Sequence, residues 1–209
     1  MKILAHRGHW LEPHEKNSFV AFERAWAGGF GIETDLRDLN GHIVVSHDPP
    51  RDGAASFESL LQAHAERGRA TPLALNIKAD GLQGAVARLL AQYSVADFFV
   101  FDMSVPDSLH YFGSGLPVFL RLSEFEFETP LVERAVGIWL DAFERDWWTA
   151  ETVRGLCTRE KAVAVVSPEL HGRPHQNAWQ TLQSLALNIR NRVLLCTDFP
   201  DDAARFFKS

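Results

Sequence analysis

The stretch AVAVV at residues 162–166, like FFVF at residues 98–101, is apolar at every position. A strand with this pattern is buried on both faces, as parallel strands covered by helices are. Each short run of this kind is followed by a longer stretch in which apolar residues recur at three- and four-residue spacing, the pattern of a helix. The alternation predicts βα units and a parallel sheet.

Eight strand-like runs occur along the chain. The predicted strands cover residues 3–6, 31–37 with an extension at 42–47, 73–78, 98–102, 118–122, 137–141, 162–167 and 192–197. The predicted helices include residues 18–27, 57–67, 82–93, 150–157 and 176–189. A length of 209 residues is close to the lower limit of roughly 200 for a (β/α)8 TIM barrel. We therefore predict an α/β protein with a (β/α)8 TIM barrel as a single compact domain over residues 1–209. A doubly wound open sheet is the alternative.

Composition and charge exclude several classes of protein. Twenty-one Lys and Arg residues against 27 Asp and Glu residues give a net charge of −6, so no overall basic field attracts nucleic acid or an anionic membrane. The apolar run before His6 and Arg7 is too short for a signal peptide, and no window approaches the roughly 18 apolar residues of a membrane span. We expect a cytoplasmic protein with neither partner. Cys157 and Cys196 match no metal or redox spacing, and we expect two buried thiols.

Polar side chains cluster where the predicted strands end. Since the carboxyl ends of barrel strands face one rim, and active sites lie there, these residues are the candidates for a site. They are His6 and Arg7, Glu33 and Asp35, His47 and Asp48, Asn76 and Lys78, Asp141, Glu169 and His171, and Asp198.

Glu33 and Asp35 are two residues apart on a predicted strand, so they project from the same face. This spacing allows two carboxylates to share one divalent cation, and oxygen ligands favour Mg²⁺ or Ca²⁺ over zinc. The alternative is an exposed polar face. Apolar neighbours on both sides favour a buried strand, in which an unpaired carboxylate is costly.

His6, Arg7 and His47 carry groups suited to phosphodiester cleavage. The planar guanidinium of Arg7 can bind a phosphate through two hydrogen bonds. Taken alone, a histidine such as His6 is more often a structural hydrogen-bonding residue than a catalytic one, and His47 alone is similarly ambiguous. Two histidines on one rim beside a cation site, however, offer the acid and the base that cleavage needs.

Six motifs of the chain resemble those of the glycerophosphodiester phosphodiesterase family, whose (β/α)8 barrel is related to phosphatidylinositol-specific phospholipase C. The resemblance covers nearly the whole chain and is dense in the first 80 residues. The motifs are AHRG at 5–8, NSFVAF at 17–22, GIETDL at 31–36, VVSHD at 44–48, LNIK at 75–78 and TDFP at 197–200.

The resemblance implies a different role for each group of these residues. It makes His6 and His47 the general acid/base pair, with His6 as base and His47 as acid or the reverse order. It makes Glu33 and Asp35 metal ligands. It assigns Arg7 and Lys78 to the phosphate of a small glycerol-type phosphodiester. The implied role is hydrolysis to a phosphomonoester and an alcohol in lipid metabolism, with Mg²⁺ or Ca²⁺ as cofactor.

The chain departs from the family pattern at two positions. Lys16 falls where the family usually has Glu, unless the loop brings in Glu15. Asn76 replaces a metal-binding Glu, and its uncharged amide oxygen predicts weaker metal binding. Glu169 is a candidate to supply the missing carboxylate from the seventh strand, and an exposed loop acid is the equal alternative.

Two other functions stay open on this reasoning. One is the same chemistry on another diester, such as a lysophospholipid, a sugar phosphodiester or a cyclic phosphate. The other is a non-catalytic barrel that binds a phosphorylated ligand. Elsewhere in the chain, His64 and His110 are expected to be solvated on helices. Glu124, Glu126 and Glu128 are expected in an exposed loop, and the alternative is that they guard the rim of the site or shape its selectivity for the headgroup.

Overall fold

The computed structural model describes residues 1–68 and 70–208. The strands are β1 (Lys2–His6), β2 (Gly31–Leu39), β3 (His42–Val45), β4 (Leu73–Ile77), β5 (Phe98–Phe101), β6 (Phe119–Leu122), β7 (Gly137–Leu140), β8 (Ala162–Val166) and β9 (Val193–Thr197). The α-helices are α1 (Phe19–Ala27), α2 (Phe57–Ala63), α3 (Gln83–Gln92), α4 (Val105–Gly113), α5 (Ala150–Thr158), α6 (Gln176–Gln183), α7 (Leu187–Arg190) and α8 (Pro200–Lys208). A π-helical turn (His64–Gly68) continues α2, and short 3-10 helices cover Pro13–Glu15, Pro130–Arg134 and Pro168–His171.

The chain divides into two compact units, one formed by Leu4–Val118 and the other by Met1–Ile3 with the chain from Phe119 onward. In the first unit β1, β2, β4 and β5 pair in parallel in that order. In the second, β6, β7, β8 and β9 do the same. Neighbouring strands thus follow chain order without the reversal that a doubly wound sheet contains. The predicted (β/α)8 TIM-barrel fold class is confirmed, while a single domain over residues 1–209 stays a prediction.

The segment predicted as an extension of the second strand is a separate strand. The chain turns back at Asn40 and Gly41. β3 then pairs antiparallel with the end of β2, from Leu36↔Val45 to Leu39↔His42. Both turn residues have positive φ, 52° and 82°, as tight hairpin turns require. The hairpin brings the loop that follows β3 back beside Asp35, whose carbonyl accepts a hydrogen bond from the N–H of Ser46 at 3.0 Å.

Local sequence sets where several helices begin. The hydroxyl of the N-cap residue accepts a hydrogen bond from the backbone N–H three residues later, which satisfies a donor left free at the helix start. These N-caps are Ser18 of α1, Ser56 of α2, Ser104 of α4 and Thr149 of α5. The buried face of α1 is formed by Ala21, Phe22, Ala25 and Trp26, the spacing expected of an amphipathic helix.

Each unit has buried apolar residues on its strands. Leu4, Ile32, Leu73 and Val100 of the first unit are fully buried. In the second unit Ile138, Val163 and Leu195 belong to a cluster that includes Trp179 and Leu182 of α6. Cys157 and Cys196 are buried thiols, as predicted. Among the helices of the described residues, none has the length and apolar character needed to span a membrane.

Two polar side chains that the sequence placed in solvent are buried. The ring of His64 packs edge-on against Trp26, with centroids 5.8 Å apart, and its Nε2 lies 3.0 Å from the carbonyl oxygen of Thr71. The carboxylate of Glu124 accepts hydrogen bonds from three consecutive backbone N–H groups, those of residues 143–145. In both cases hydrogen bonds offset the cost of burial.

Candidate active site

The end of β1 leads into a tight turn at Arg7 and Gly8. Both residues have positive φ, 56° and 85°, and a Cβ atom on Gly8 would lie 2.8 Å from the Cβ of Ala21. The carbonyl oxygen of Arg7 accepts a hydrogen bond from the N–H of Asn17 at 2.8 Å. The turn therefore needs glycine at position 8, and it holds the backbone of Arg7 against the loop before α1.

Glu33 and Asp35 lie on β2 with 2% and 1% of their surface exposed. Two carboxylates on one face of a buried strand disfavour each other's ionisation. Burial first, and then the charge of Asp35, raise the pKa of Glu33 to about 7. The predicted exposed-face alternative is therefore wrong, and the two carboxylates form a buried acidic pair.

His6 and Arg7 contact this acidic pair from the neighbouring strand. The Nε2 atom of His6 lies 3.9 Å from the Oε2 atom of Glu33, and the backbone N–H of Arg7 donates to the same oxygen at 3.3 Å. The Nε atom of Arg7 lies 3.3 Å from the Oδ2 atom of Asp35. The first two candidate motifs thus meet directly, because β1 and β2 pair with His6 opposite Glu33.

Asn17 is a site residue whose contact role the sequence did not predict. Its Nδ2 atom donates to the Oδ2 atom of Asp35 at 2.9 Å, and its Oδ1 atom accepts from the hydroxyl of Thr34 at 2.8 Å. Its φ of 59° is left-handed, a conformation that Asn tolerates better than most residues. The only sequence signal was its place in the NSFVAF motif, because a contact across 18 positions has no periodicity.

Asn76, Lys78 and Asp102 complete the contacts from the next two strands. Asn76 is the direct neighbour of Asp35 in the β2–β4 ladder. The Nζ atom of Lys78 lies 3.0 Å from the Oδ2 atom of Asp102 and 3.7 Å from the Oδ1 atom of Asp35. Asp102 follows β5 with a φ of 71°. His6, Arg7, Glu33, Asp35 and Lys78 are therefore linked in one network at the carboxyl ends of parallel strands.

The donor atoms in this network suit a hard divalent cation. The Oδ1 atoms of Asp35 and Asn76 are both buried and have no hydrogen-bond partner. Within the described residues no group of three or more His, Cys, Asp and Glu side chains has a metal-binding arrangement. The amide oxygen of Asn76, the neighbour of Asp35 in the ladder, is a candidate third ligand beside Glu33 and Asp35. Two carboxylates and an amide oxygen are ligands that Mg²⁺ and Ca²⁺ accept. The residues present fit such an ion.

His47 lies on the wall of a cavity of about 910 Å³ that Arg7 and Asn17 also line. Its Nδ1 atom is 2.8 Å from the Oδ1 atom of Asp48, and its side chain is 44% exposed. The hydrogen bond from His47 lowers the pKa of Asp48, which keeps that carboxylate ionised. His47 and Arg7 therefore line the same cavity, and the ring of His47 is paired with Asp48 rather than with the network.

Lys16, and not Glu15, faces this cavity. Glu15 instead accepts a hydrogen bond from the N–H of Leu11 at 2.7 Å and pairs with Arg24 at 2.9 Å. The hydrogen bonds from Arg24 and from Leu11 lower the pKa of Glu15 to about 2. The loop therefore does not shift to bring a carboxylate into the position that Lys16 holds.

Glu169 lies in the second unit and is not an exposed loop acid, because its side chain is only 8% exposed. It accepts hydrogen bonds from the hydroxyls of Ser167 and Thr197 and from the N–H of Asp198. The Nδ1 atom of His175 lies 3.8 Å from it. Both carboxylate oxygens are thus engaged within the second unit, and a metal-binding role for Glu169 stays a prediction.

The chain is similar in fold to solved structures of two glycerophosphodiester phosphodiesterases. The enzyme from Agrobacterium tumefaciens has a TM-score of 0.71 and 17% identity, over 99% of this chain and 98% of that one. The enzyme from Parabacteroides distasonis has a TM-score of 0.68 and 15% identity, over 99% of this chain and 86% of that one. No protein-family model and no curated protein sequence matches the chain.

A third similar structure is that of a different enzyme. Tryptophan synthase from M. tuberculosis has a TM-score of 0.56 and 13% identity, over 99% of this chain and 88% of that one. At such identities the similarity shows the (β/α)8 fold and nothing finer. Since one fold carries many reactions, the function must be argued from the side chains of the site.

Proposed function

We propose that this chain is a metal-dependent phosphodiesterase that hydrolyses a glycerophosphodiester to a glycerol phosphate and an alcohol. The observation that carries the proposal is the network at the ends of β1, β2 and β4. There a buried carboxylate pair contacts an imidazole, a guanidinium and an ammonium group beside a cavity of about 910 Å³. Paired carboxylates for a cation, histidines for proton transfer and fixed cations for a phosphate are the groups that this reaction needs.

In the proposed reaction the two histidines exchange protons with the two ends of the reacting phosphodiester. His6 accepts the proton of the glycerol hydroxyl that attacks phosphorus, and His47 gives a proton to the alcohol oxygen as its bond to phosphorus breaks. Water then opens the cyclic phosphate, with the two proton transfers reversed, and yields the phosphomonoester. The position of His47 supports its role as the acid, since it faces the cavity and its ring is oriented by Asp48.

Arg7 and Lys78 are proposed to bind the phosphate oxygens. Each is held by a carboxylate, Arg7 by Asp35 and Lys78 by Asp102, so little side-chain freedom is lost when the substrate binds. Glu33, Asp35 and Asn76 would hold the cation, which supplies positive charge to the phosphate as negative charge develops.

Turnover of small glycerophosphodiesters tests the proposal. The purified chain is incubated with glycerophosphocholine, glycerophosphoethanolamine or glycerophosphoglycerol, with Mg²⁺ or Ca²⁺ and with or without chelator. We expect release of the alcohol that stops when chelator is added. His6→Ala and His47→Ala should each lower kcat by at least about a hundredfold, the usual contribution of a general acid or base. His110→Ala, on the exposed face of α4, is the matched control.

Three outcomes would count against the proposal. They are hydrolysis that continues in chelator, full activity in both histidine variants, and absence of turnover on all three diesters. Calorimetry then separates the alternatives: a non-catalytic barrel would bind intact diester without a divalent cation, whereas an enzyme for another class of diester would cleave lysophospholipid or sugar phosphodiester under the same conditions.

A further inference from the structure

The cavity beside the proposed phosphate site contains a cation that the proposed reaction does not use. Lys16 lies on the cavity wall with Arg7, Asn17 and His47. Within the described residues the ammonium group of Lys16 makes no ion pair with any carboxylate. Its Nζ atom lies over the ring of Trp10 instead, 4.3 Å from the centroid.

This arrangement holds the charge of Lys16 in place without neutralising it. An aromatic face attracts an ammonium group through its quadrupole but carries no net charge. Lys16 is also half-buried, so water screens its charge less than that of a fully exposed lysine. A positioned cation without a counter-ion on a cavity wall is suited to an anionic group of a ligand.

The other charged residues of the wall do not remove this charge. Arg7 is paired with Asp35, and Asp48 with His47. Arg51 and Asp52 are adjacent, opposite in sign and both exposed. Lys16 is therefore a partly buried cation of the wall that is paired with no carboxylate among the described residues.

A backbone hydrogen bond links the loop of Lys16 to Arg7, the proposed phosphate-binding residue. Lys16 precedes Asn17, whose backbone N–H donates to the carbonyl oxygen of Arg7 at 2.8 Å. The loop that carries Lys16 is therefore hydrogen-bonded directly to the residue proposed to bind the phosphodiester. Lys16 and Arg7 line the same cavity, so one small molecule bound there has both cations within its binding site.

We propose that Lys16 is a specificity residue that selects phosphodiesters whose alcohol carries a second anionic group, a carboxylate or a phosphate. The inference rests on the proposed function, and it names the substrate class of the same site. Both anions would be bound by the same chemistry, a charge-assisted hydrogen bond from the ammonium group.

Two matched pairs of substrates test the inference. Glycerophosphoserine differs from glycerophosphoethanolamine by one carboxylate, and the terminal phosphate ester of glycerophosphoglycerol differs from glycerophosphoglycerol by one phosphate. We expect the chain to favour the anionic member of at least one pair by about tenfold in kcat/KM, the scale of one charge-assisted hydrogen bond. The pair that shows the preference identifies the anion.

Variants at position 16 show whether the preference depends on its charge. Lys16→Met should abolish the preference, and Lys16→Arg should keep most of it. Arg88→Met removes a charge from the exposed side of α3, outside the cavity. This variant should leave the ratio of the two kcat/KM values within each substrate pair unchanged. High salt should reduce the preference in the wild-type chain and leave that of Lys16→Met unaffected.

Failure of this inference is distinguishable from failure of the proposed function. If the diesters are cleaved but neither pair shows a preference, or Lys16→Met keeps it, the inference is wrong and the phosphodiesterase proposal stands. If no diester is cleaved, calorimetry with both pairs decides. Tighter binding of the anionic member that is lost in Lys16→Met supports the inference alone, and equal or absent binding overturns it.

Discussion

The carboxylate of Asp102 holds the ammonium group of Lys78, with 3.0 Å between its Oδ2 atom and Nζ. Asp102 has a left-handed φ of 71°, a conformation that costs free energy in a non-glycine residue. The Nζ atom is then also 3.7 Å from Asp35. Asp102 is thus a positioning residue for a proposed phosphate ligand.

Asp102→Asn removes the charge but keeps the shape and the tolerance for positive φ. We expect kcat/KM to fall about tenfold, because a neutral amide oxygen holds the ammonium group of Lys78 less strongly than a carboxylate does, with little change in melting temperature. Steady-state kinetics and thermal unfolding measure the two effects. Asp38→Asn, on the exposed side of the β2–β3 hairpin, is the control, and equal kinetics in both variants would contradict the role of Asp102.

Asn76→Asp adds a charge to the proposed metal ligands. Because a carboxylate binds Mg²⁺ or Ca²⁺ more strongly than an amide does, we expect metal affinity to rise by about tenfold or more in calorimetry. Without metal the variant should melt at a lower temperature than the wild type, since a third carboxylate is then buried beside Glu33 and Asp35. Unchanged metal affinity would argue that position 76 does not face the cation.

The raised pKa of Glu33 predicts how stability depends on pH. Its pKa is about 7 in the folded chain against 4.5 ordinarily, so its contribution to the free energy of unfolding is fully present below pH 4.5 and is lost as the pH rises through 7. In chelator, Glu33→Gln should therefore gain stability relative to the wild type between pH 5 and pH 8. Denaturant unfolding at the two values measures this.

A divalent cation should reverse that trend in the wild-type chain. The ionised form of Glu33 is the one that binds metal, so Mg²⁺ or Ca²⁺ should raise the melting temperature more at pH 8 than at pH 5. In Glu33→Gln the rise in melting temperature on adding the cation should be small at both pH values. An equal shift in both proteins would remove Glu33 from the proposed metal ligands.

Gly8→Ala tests the turn that places His6 and Arg7. The added Cβ would meet Ala21 at 2.8 Å in a residue with φ of 85°, and strain and overpacking together should cost about 3 kcal/mol of stability. Gly41→Ala is a matched control, because its φ is 82° and no atom lies within 4 Å of the added Cβ. It should cost about 1 kcal/mol, and similar losses in both variants would mean that contact with Ala21 is unimportant.

The fold and the acidic pair could be predicted because their signals are local. The spacing of Glu33 and Asp35 puts them on one face of a strand, and the strand predicted at residues 31–37 is found at Gly31–Leu39. The strand that carries the residues before His47 was predicted as an extension and is instead antiparallel. The direction of this strand depends on the turn at Asn40 and Gly41. The alternation of apolar residues along the strand does not predict that turn.

Other parts of the site depend on contacts between distant residues. Asn17 reaches Asp35 across 18 positions, and no pattern within a helix or strand encodes that contact. Glu124 was assigned to solvent because it alternates with phenylalanines in a loop. Its burial depends on hydrogen bonds from backbone N–H groups about 20 residues away. The sequence around Glu124 does not predict these contacts.

The linked side chains around Glu33 and Asp35 come from positions 6 to 102, so they lie inside the unit Leu4–Val118. A gene that recombined just after the codon for Val118 would pass the whole constellation to a new partner half in one event. Changes in the sequence after Val118 therefore replace none of these side chains.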